Sequence, residues 1–217
     1  MKTAPVKTSA RIVETARALF NEQGYGAVST ATLAAACGIA EGNLWYHFKT
    51  RRALLDAIGE RFAVAIEARL ALRPASDPLS DYAAMLAAMM GEFRDFRFLY
   101  RDQHSYGEHA EVVRRNARDW LERTFAQLEL YLAALVDAGQ LDWPRERLRD
   151  LAINATIILR YGLEHYREMG EATGSGTGSV QRTLRRHLTL FEHRLDPSAA
   201  RRLHVGIAQI EAAPLAA

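Results

Sequence analysis

Residues 24–55 read GYGAVSTATLAAACGIAEGNLWYHFKTRRALL, and the fold turns on how this stretch divides. Gly38 separates two short helical segments. Ser29 or Thr30 offers a side-chain oxygen to cap the first, Ala31 to Cys37, whose apolar side carries Leu33, Ala34 and Cys37. The second runs from about Glu41 to Phe48, with Leu44 and Phe48 one turn apart. A tight glycine turn fixes the crossing of two such helices, and Ala34 is small where they approach. This is the arrangement of a helix-turn-helix unit, in which one helix crosses a DNA backbone and the next enters the major groove. Leu33, Cys37, Ile39, Leu44 and Phe48 are the expected shared core. Glu41, Asn43, Tyr46 and His47 stand on the other side, with Trp45 partly exposed.

Upstream, Ile12, Ala16, Leu19 and Phe20 mark one buried face of a helix from about Ser9 to Gln23, and Gly24 is a stop. Downstream, Thr50 opens a longer helix through Leu54, Ile58, Phe62 and Ile66. Pro74 to Pro78 breaks the chain before a helix that runs to about Phe93. Arg94 to Gly107 reads as one short helix and a loop. His109 to Gly139 is one long helix. Pro144, in the first turn, starts another that reaches about Met169. Gly170 to Gly178 is a flexible connection, Val180 to Leu195 is helical, and Arg201 to Ala217 is a weak helix or a loose tail. No segment alternates like a strand. The expected fold is all-α, with roughly nine helices. An N-terminal three-helix DNA-binding unit (residues 1–54) precedes a larger ligand-binding and dimerisation bundle (residues 55–217).

Composition narrows the function. An apolar fraction of 49% over 217 residues fills a real core. A single cysteine, Cys37, excludes a disulfide framework and an all-cysteine zinc site, and reads as a small buried hydrophobe. No apolar run approaches membrane length and Met1 to Ala10 lacks a signal core, so a cytoplasmic protein without a membrane partner is expected. Residues 1–54 hold seven basic and three acidic side chains, a local charge of +4 within a chain whose formal net charge is +2. A basic head on a slightly acidic body suits an anionic partner. Glu-x-x-His pairs, HExxH, a P-loop, a dinucleotide fingerprint and a nucleophile elbow are all missing from the sequence, so neither an enzyme nor a metal or cofactor is expected.

The chain resembles the TetR family of bacterial transcription regulators. The residues that carry the likeness are Gly24-Tyr25, Ser29 to Gly38, Gly42 to Thr50, and Ala53-Leu54-Leu55. The resemblance implies a homodimer that binds a palindromic operator in double-stranded DNA and answers to a small-molecule effector. It implies that Trp45, Tyr46 and His47 lie at the DNA, Tyr46 and His47 on phosphates or a base. Lys49 and Thr30 would hold backbone, Asn43 an adenine edge and Glu41 cytosine N4. Ala40 departs from the family's usual serine or threonine cap, which costs the third helix about 1 kcal/mol. In the body, Phe93, Phe96, Tyr100, Trp120, Phe125, Tyr161, His165 and Tyr166 are effector candidates, and Arg160 suits an acidic ligand. Ile153, Ile157, Leu159, Leu184, Leu188 and Phe191 are dimer-interface candidates. A repressor is the leading expectation. The alternatives are an activator of the same fold and a helical adaptor without DNA binding.

Overall fold

The computed structural model of the chain describes residues 8–106, 109–174 and 176–210. Eleven α-helices and no strand occur among them: α1 (Thr8–Gln23), α2 (Thr30–Ala36), α3 (Glu41–His47), α4 (Arg51–Leu70), α5 (Pro78–Asp95), α6 (Arg97–Arg101), α7 (Gln103–Tyr106), α8 (Glu111–Asp137), α9 (Leu148–Glu168), α10 (Ser179–Leu188) and α11 (Pro197–Gln209). The all-α expectation holds. None of these helices is long and apolar enough to cross a membrane.

The chain forms two compact units. One takes Met1–Ile66 and Asp95–Ala117, the other Glu67–Arg94 and Arg118–Ala217. A single cut after residue 54 separates the helix-turn-helix from the remaining helices, but packing divides the chain differently, because α6, α7 and the first turns of α8 join α1. The last carbonyls of α1 have no intrahelical donors. Arg101 adds to what the main chain provides, donating to Phe20 O at 2.9 Å, which also accepts from Gly24 N at 3.0 Å, and to Asn21 O at 3.1 Å. Phe98 N donates to Asn21 Oδ1 at 3.0 Å, and Tyr25 N to Asp102 Oδ2 at 2.7 Å. Edge-on contacts of Phe20 with Phe98 and of Tyr25 with Tyr106 fill the space between.

In the second unit, Tyr82, Met85, Leu86 and Met89 of α5 share a core with Leu128, Tyr131 and Leu132 of α8, Leu159 of α9, and Leu184 and Leu188 of α10. At Gly162 the α9 backbone comes so close to Thr183 of α10 that an added Cβ would lie 2.3 Å from Thr183 Cγ2.

Four local expectations change. Pro144 opens a short 3-10 turn, Arg145–Arg147, and α9 begins only at Leu148. Helix α10 ends at Leu188 instead of Leu195. There Asp142 N donates to Arg194 O and Asp196 N to Gln140 O, so the chain pairs with the segment after α8. What read as a weak tail is helix α11, started by Asp196, whose carboxylate accepts from Ser198 N and Ala199 N, and by Pro197 in its first turn. Its Ala199, Leu203 and Ile207 are buried. Residues 211–217 of that segment lie outside the described residues. The stretch from Arg94 holds two short helices, α6 and α7, in place of one, and Gly107 lies outside the described residues.

Candidate nucleic-acid interface

The head is built as the sequence chemistry requires. Ser29 Oγ accepts from Thr32 N at 3.0 Å and caps α2, a contact of the kind that contributes about 1 kcal/mol. Gly38 takes the left-handed conformation, φ +63°, which a side chain would disfavour, and the chain turns there into α3. Ala40 gives α3 no side-chain cap, as its methyl side chain dictates. Ile12, Ala16 and Phe20 of α1, Leu33 and Ala34 of α2, Cys37, and Leu44 of α3 are buried. Leu19, Ile39 and Phe48, expected in the core, are only half-buried. Phe48 lines a small crevice with Leu33, Leu44, Trp45 and Leu54.

Burying Leu44 turns the rest of α3 outward. Glu41, Asn43, Trp45, Tyr46 and His47 are exposed, as is Lys49 just beyond the helix, while Thr30 is half-buried at the start of α2. Tyr46 is 75% exposed, unusual for a tyrosine without a partner surface. Its ring meets His47 edge-on at 5.4 Å, and Lys49 Nζ lies 5.9 Å from its centroid. Trp45 is 37% exposed and shares the crevice, so part of its ring is committed to packing. Together α3 and the Phe48–Thr50 turn present a hydroxyl, an imidazole, an ammonium, an amide and a carboxylate.

Helix α4 begins against this surface. Thr50 Oγ1 accepts from Ala53 N at 3.0 Å. The Arg51 guanidinium donates to Tyr25 O and Val28 O and lies 4.3 Å from the Tyr25 ring centroid. Arg51 is therefore a structural fastener, and the exposed basic groups at this end are Lys49 and Arg52.

The effector candidates are divided between the two units. Phe96 and Tyr100 stand in the first unit, both against Phe62, at 5.3 and 5.4 Å between centroids. The others stand in the second unit. Trp120 is buried and its indole N–H donates to Glu67 Oε1 at 2.8 Å. Phe125 lies beneath Arg149, and Phe93 is buried in α5. Tyr166 is buried and carries the guanidiniums of Arg182 and Arg186 at 4.4 and 4.9 Å from its centroid. His165 and Arg160 are half-buried, and Tyr161 is exposed with its hydroxyl donating to Glu168. An open groove in this unit is lined instead by Leu70, Arg73, Arg123, Ala126, Gln127 and Leu130, none of them among the sequence candidates.

The interface candidates split as well. Leu184, Leu188 and Phe191 are fully buried within one chain, as is Leu159, so they have no surface to offer a second copy. Their apolar periodicity reported burial against α5 and α9. Ile153 is half-buried and Ile157 is 58% exposed, and Tyr161 one turn on is 50% exposed. The apolar stripe that α9 leaves uncovered is therefore Ile153, Ile157 and Tyr161.

Sequence reading missed two buried polar sets in the second unit. Tyr82 and His187 meet at 2.6 Å between Oη and Nε2, both fully buried. Burial alone pushes the imidazole down to about 3 and the phenol upward, because neither charged form is solvated there. Arg69 forms the other set with Glu92, Thr124 and Gln127. No group of three or more His, Cys, Asp or Glu placed to hold a metal occurs among the described residues.

Comparison with known proteins agrees with this geometry. A family model described as bacterial regulatory proteins of the tetR family matches residues 12–58, and one described as bacterial transcriptional repressor matches residues 61–203. The chain is 29% identical over 150 residues to the class A tetracycline repressor protein from transposon 1721 of Escherichia coli, a match covering 69% of this chain and 61% of that protein. It is 27% identical over 160 residues to the class C tetracycline repressor protein of the same species, covering 74% and 69%. The crystal structure of a TetR-family transcriptional regulator from Marinobacter aquaeolei VT8 superposes with a TM-score of 0.75 at 21% identity, over 94% of this chain and 99% of that one, which is a likeness of fold.

Proposed function

Because the chain belongs to the TetR family of bacterial transcriptional regulators, we propose that it is a homodimeric DNA-binding repressor released from its operator by a small-molecule effector. The observation that carries the reading is α3. One side of this helix is locked into the head by Leu44, and the other shows Glu41, Asn43, Tyr46 and His47 to solvent, with Lys49 beside them. In this reading Tyr46, His47, Lys49 and Thr30 hold phosphate oxygens and set the register. Asn43 reads an adenine edge and Glu41 a cytosine amino group. Trp45 stands beside them with part of its ring in the crevice.

A single head covers one half-site. Two copies joined through Ile153, Ile157 and Tyr161 of α9 read a palindrome with half-sites about 34–36 Å apart. The effector binds in the second unit, where Phe93, Trp120, Phe125, Arg160, His165 and Tyr166 offer apolar area and polar groups. It acts through its difference in affinity for the DNA-binding and released states. The α4 helix links effector to operator, because its first turns belong to one unit and its last turn to the other. The tetR-family and repressor descriptions favour repression over activation.

The test is enrichment of a random duplex pool by the purified full-length protein, followed by titration of the selected site with an effector panel that includes tetracycline. A palindromic winner bound by a dimer, and released by a panel compound, is the expected result. No enrichment refutes DNA reading. A saturating ligand that changes neither operator affinity nor head separation refutes effector control.

A further inference from the structure

The first turn of α4 holds two arginines and no acid, although the N-terminal end of a helix carries a partial positive charge that disfavours cations. Packing accounts for Arg51, whose guanidinium donates to Tyr25 O and Val28 O. Nothing comparable holds Arg52. Its side chain is 51% exposed, with Nε 3.7 Å from Asp56 Oδ2 and Nη2 3.9 Å from Glu111 Oε2. At those distances neither contact is a hydrogen bond. The order along the helix is also the weaker one, because a base followed four residues later by an acid opposes the helix dipole. Arg52 is thus a cation kept at a helix start by two loose ion pairs, three residues beyond Lys49. It shares one compact unit with α3, Asp56 and Glu111.

The two carboxylates differ in what they lose when Arg52 leaves. Glu111 keeps Arg115, one turn further along α8, as an ion-pair partner. Asp56 has no second cation among the described residues, and its Oδ1 is buried without a hydrogen-bond partner. A phosphate offers Arg52 what neither carboxylate gives it here, a pair of acceptor oxygens at hydrogen-bond distance from a planar fork of donors. Drawing Arg52 onto a phosphate therefore gains a better contact and leaves a carboxylate behind, at greater cost for Asp56 than for Glu111.

We propose that Arg52 is a further phosphate-binding residue of the head and that Asp56 and Glu111 restrain it, so that the hold on DNA is set by competition between these carboxylates and the phosphate backbone. This rests on the DNA-reading function proposed above. Arg52 adds affinity at any sequence and carries no base choice. The carboxylates subtract from that affinity, Asp56 more than Glu111.

The test follows binding of the full-length protein to the selected operator and to a mixed-sequence duplex as salt is raised, with circular dichroism to confirm that each variant is folded. In Arg52→Gln the log–log salt slope should flatten by about 1.8 for two subunits, and Arg52→Lys should keep the native slope. Asp56→Asn should tighten binding about fivefold across the dimer, the scale of one exposed ion pair released per subunit, and Glu111→Gln should tighten it by less. In the Arg52→Gln background Asp56→Asn should lose most of that gain, because the competition is gone. A native slope in Arg52→Gln overturns the proposal. So does an Asp56→Asn gain of equal size in both backgrounds, which reports only a carboxylate near DNA. If Asp56→Asn does not fold, Glu111→Gln carries the same comparison from a side chain that is 46% exposed. Lys49→Ala separates the two readings. A flattened slope there beside a native slope in Arg52→Gln removes Arg52 alone, and a native protein that binds neither duplex removes the DNA-reading function and Arg52 with it.

Discussion

Gly162→Ala is the sharpest test of the packing. Gly162 lies inside α9, where alanine is favoured over glycine by about 1 kcal/mol on backbone grounds. Against this, the added methyl would lie 2.3 Å from Thr183 Cγ2, 2.6 Å from its Oγ1 and 3.0 Å from its Cβ. Carbon atoms pack at about 3.5–4.0 Å, so α9 and α10 must part by more than an ångström or Thr183 must turn away. Thr183 cannot turn cheaply, because it is fully buried and its hydroxyl donates to Ser179 O at 2.9 Å. Overpacking of this kind costs about 1–3 kcal/mol and occasionally more. With three contacts well inside van der Waals distance, the upper end applies, and the net loss after the helix-propensity gain is about 2 kcal/mol. For a chain of this size that lowers Tm by roughly 4–8 °C. The assay is calorimetry at fixed protein concentration on the native chain, Gly162→Ala, Thr183→Ala and the double variant. Removing Cγ2 and Oγ1 of Thr183 leaves only the 3.0 Å approach, so the double variant should recover at least about 1 kcal/mol relative to Gly162→Ala. A Gly162→Ala protein as stable as the native one, or a double variant no better than it, refutes the close crossing.

Three further outcomes are expected at the site and in the core. Lys49→Ala removes one phosphate contact per subunit, so the salt dependence of operator binding should flatten by about 1.8 in log–log slope and affinity near 0.15 M salt should fall about 30-fold. An unchanged slope places Lys49 off the backbone. The His187 imidazole is held down at about 3, against about 6.5 unfolded, so only the unfolded chain takes up this proton as pH falls below 6.5. Stability should therefore drop with acid by about 2 kcal/mol between pH 6.5 and 5 from this residue alone. Urea titrations of His187→Gln should show that much less acid sensitivity, and an identical pH dependence would place the residue in water. Ile157→Glu should lower the mass in solution to that of one chain while helicity stays native. Leu188→Glu, buried inside one chain, should instead unfold the protein, and the reverse pattern would return the interface to α10.

The head was legible because its determinants are local. A cap at Ser29, a glycine that must turn left-handed at Gly38, and Leu33, Ala34 and Leu44 at helical spacing all act within a few residues. The body was legible only as helices. The apolar repeat through Leu184, Leu188, Phe191 and Leu195 does run on past Leu188, and nothing local stops it. The stop is a pairing with residues 140–142, some fifty positions away in sequence. Amphipathic spacing said that Leu184 and Leu188 would be covered and could not say by which chain. Arg69 and Glu92 were invisible for the opposite reason. Charged residues are almost always at the surface, and only their partners across three helices justify burial. Gly162 likewise looks like a blemish in a helix until Thr183 is placed against it.

These features imply an energetic scale for control. Apolar burial holds each unit together, whereas directional polar contacts gather where one element must keep its register on another. Asn21, Arg101 and Asp102 do this at the end of α1, Arg51 at the start of α4 and the Arg69 set at its end. Moving a repressor from almost wholly bound to almost wholly released needs about 5.5 kcal/mol of differential effector binding. Shared between two subunits, that is just under about 3 kcal/mol each. Breaking one partner from a buried charged pair costs about 3–5 kcal/mol. An effector reaches that scale only through contacts that differ between the bound and released states, and one that binds both equally releases nothing, however tightly it binds.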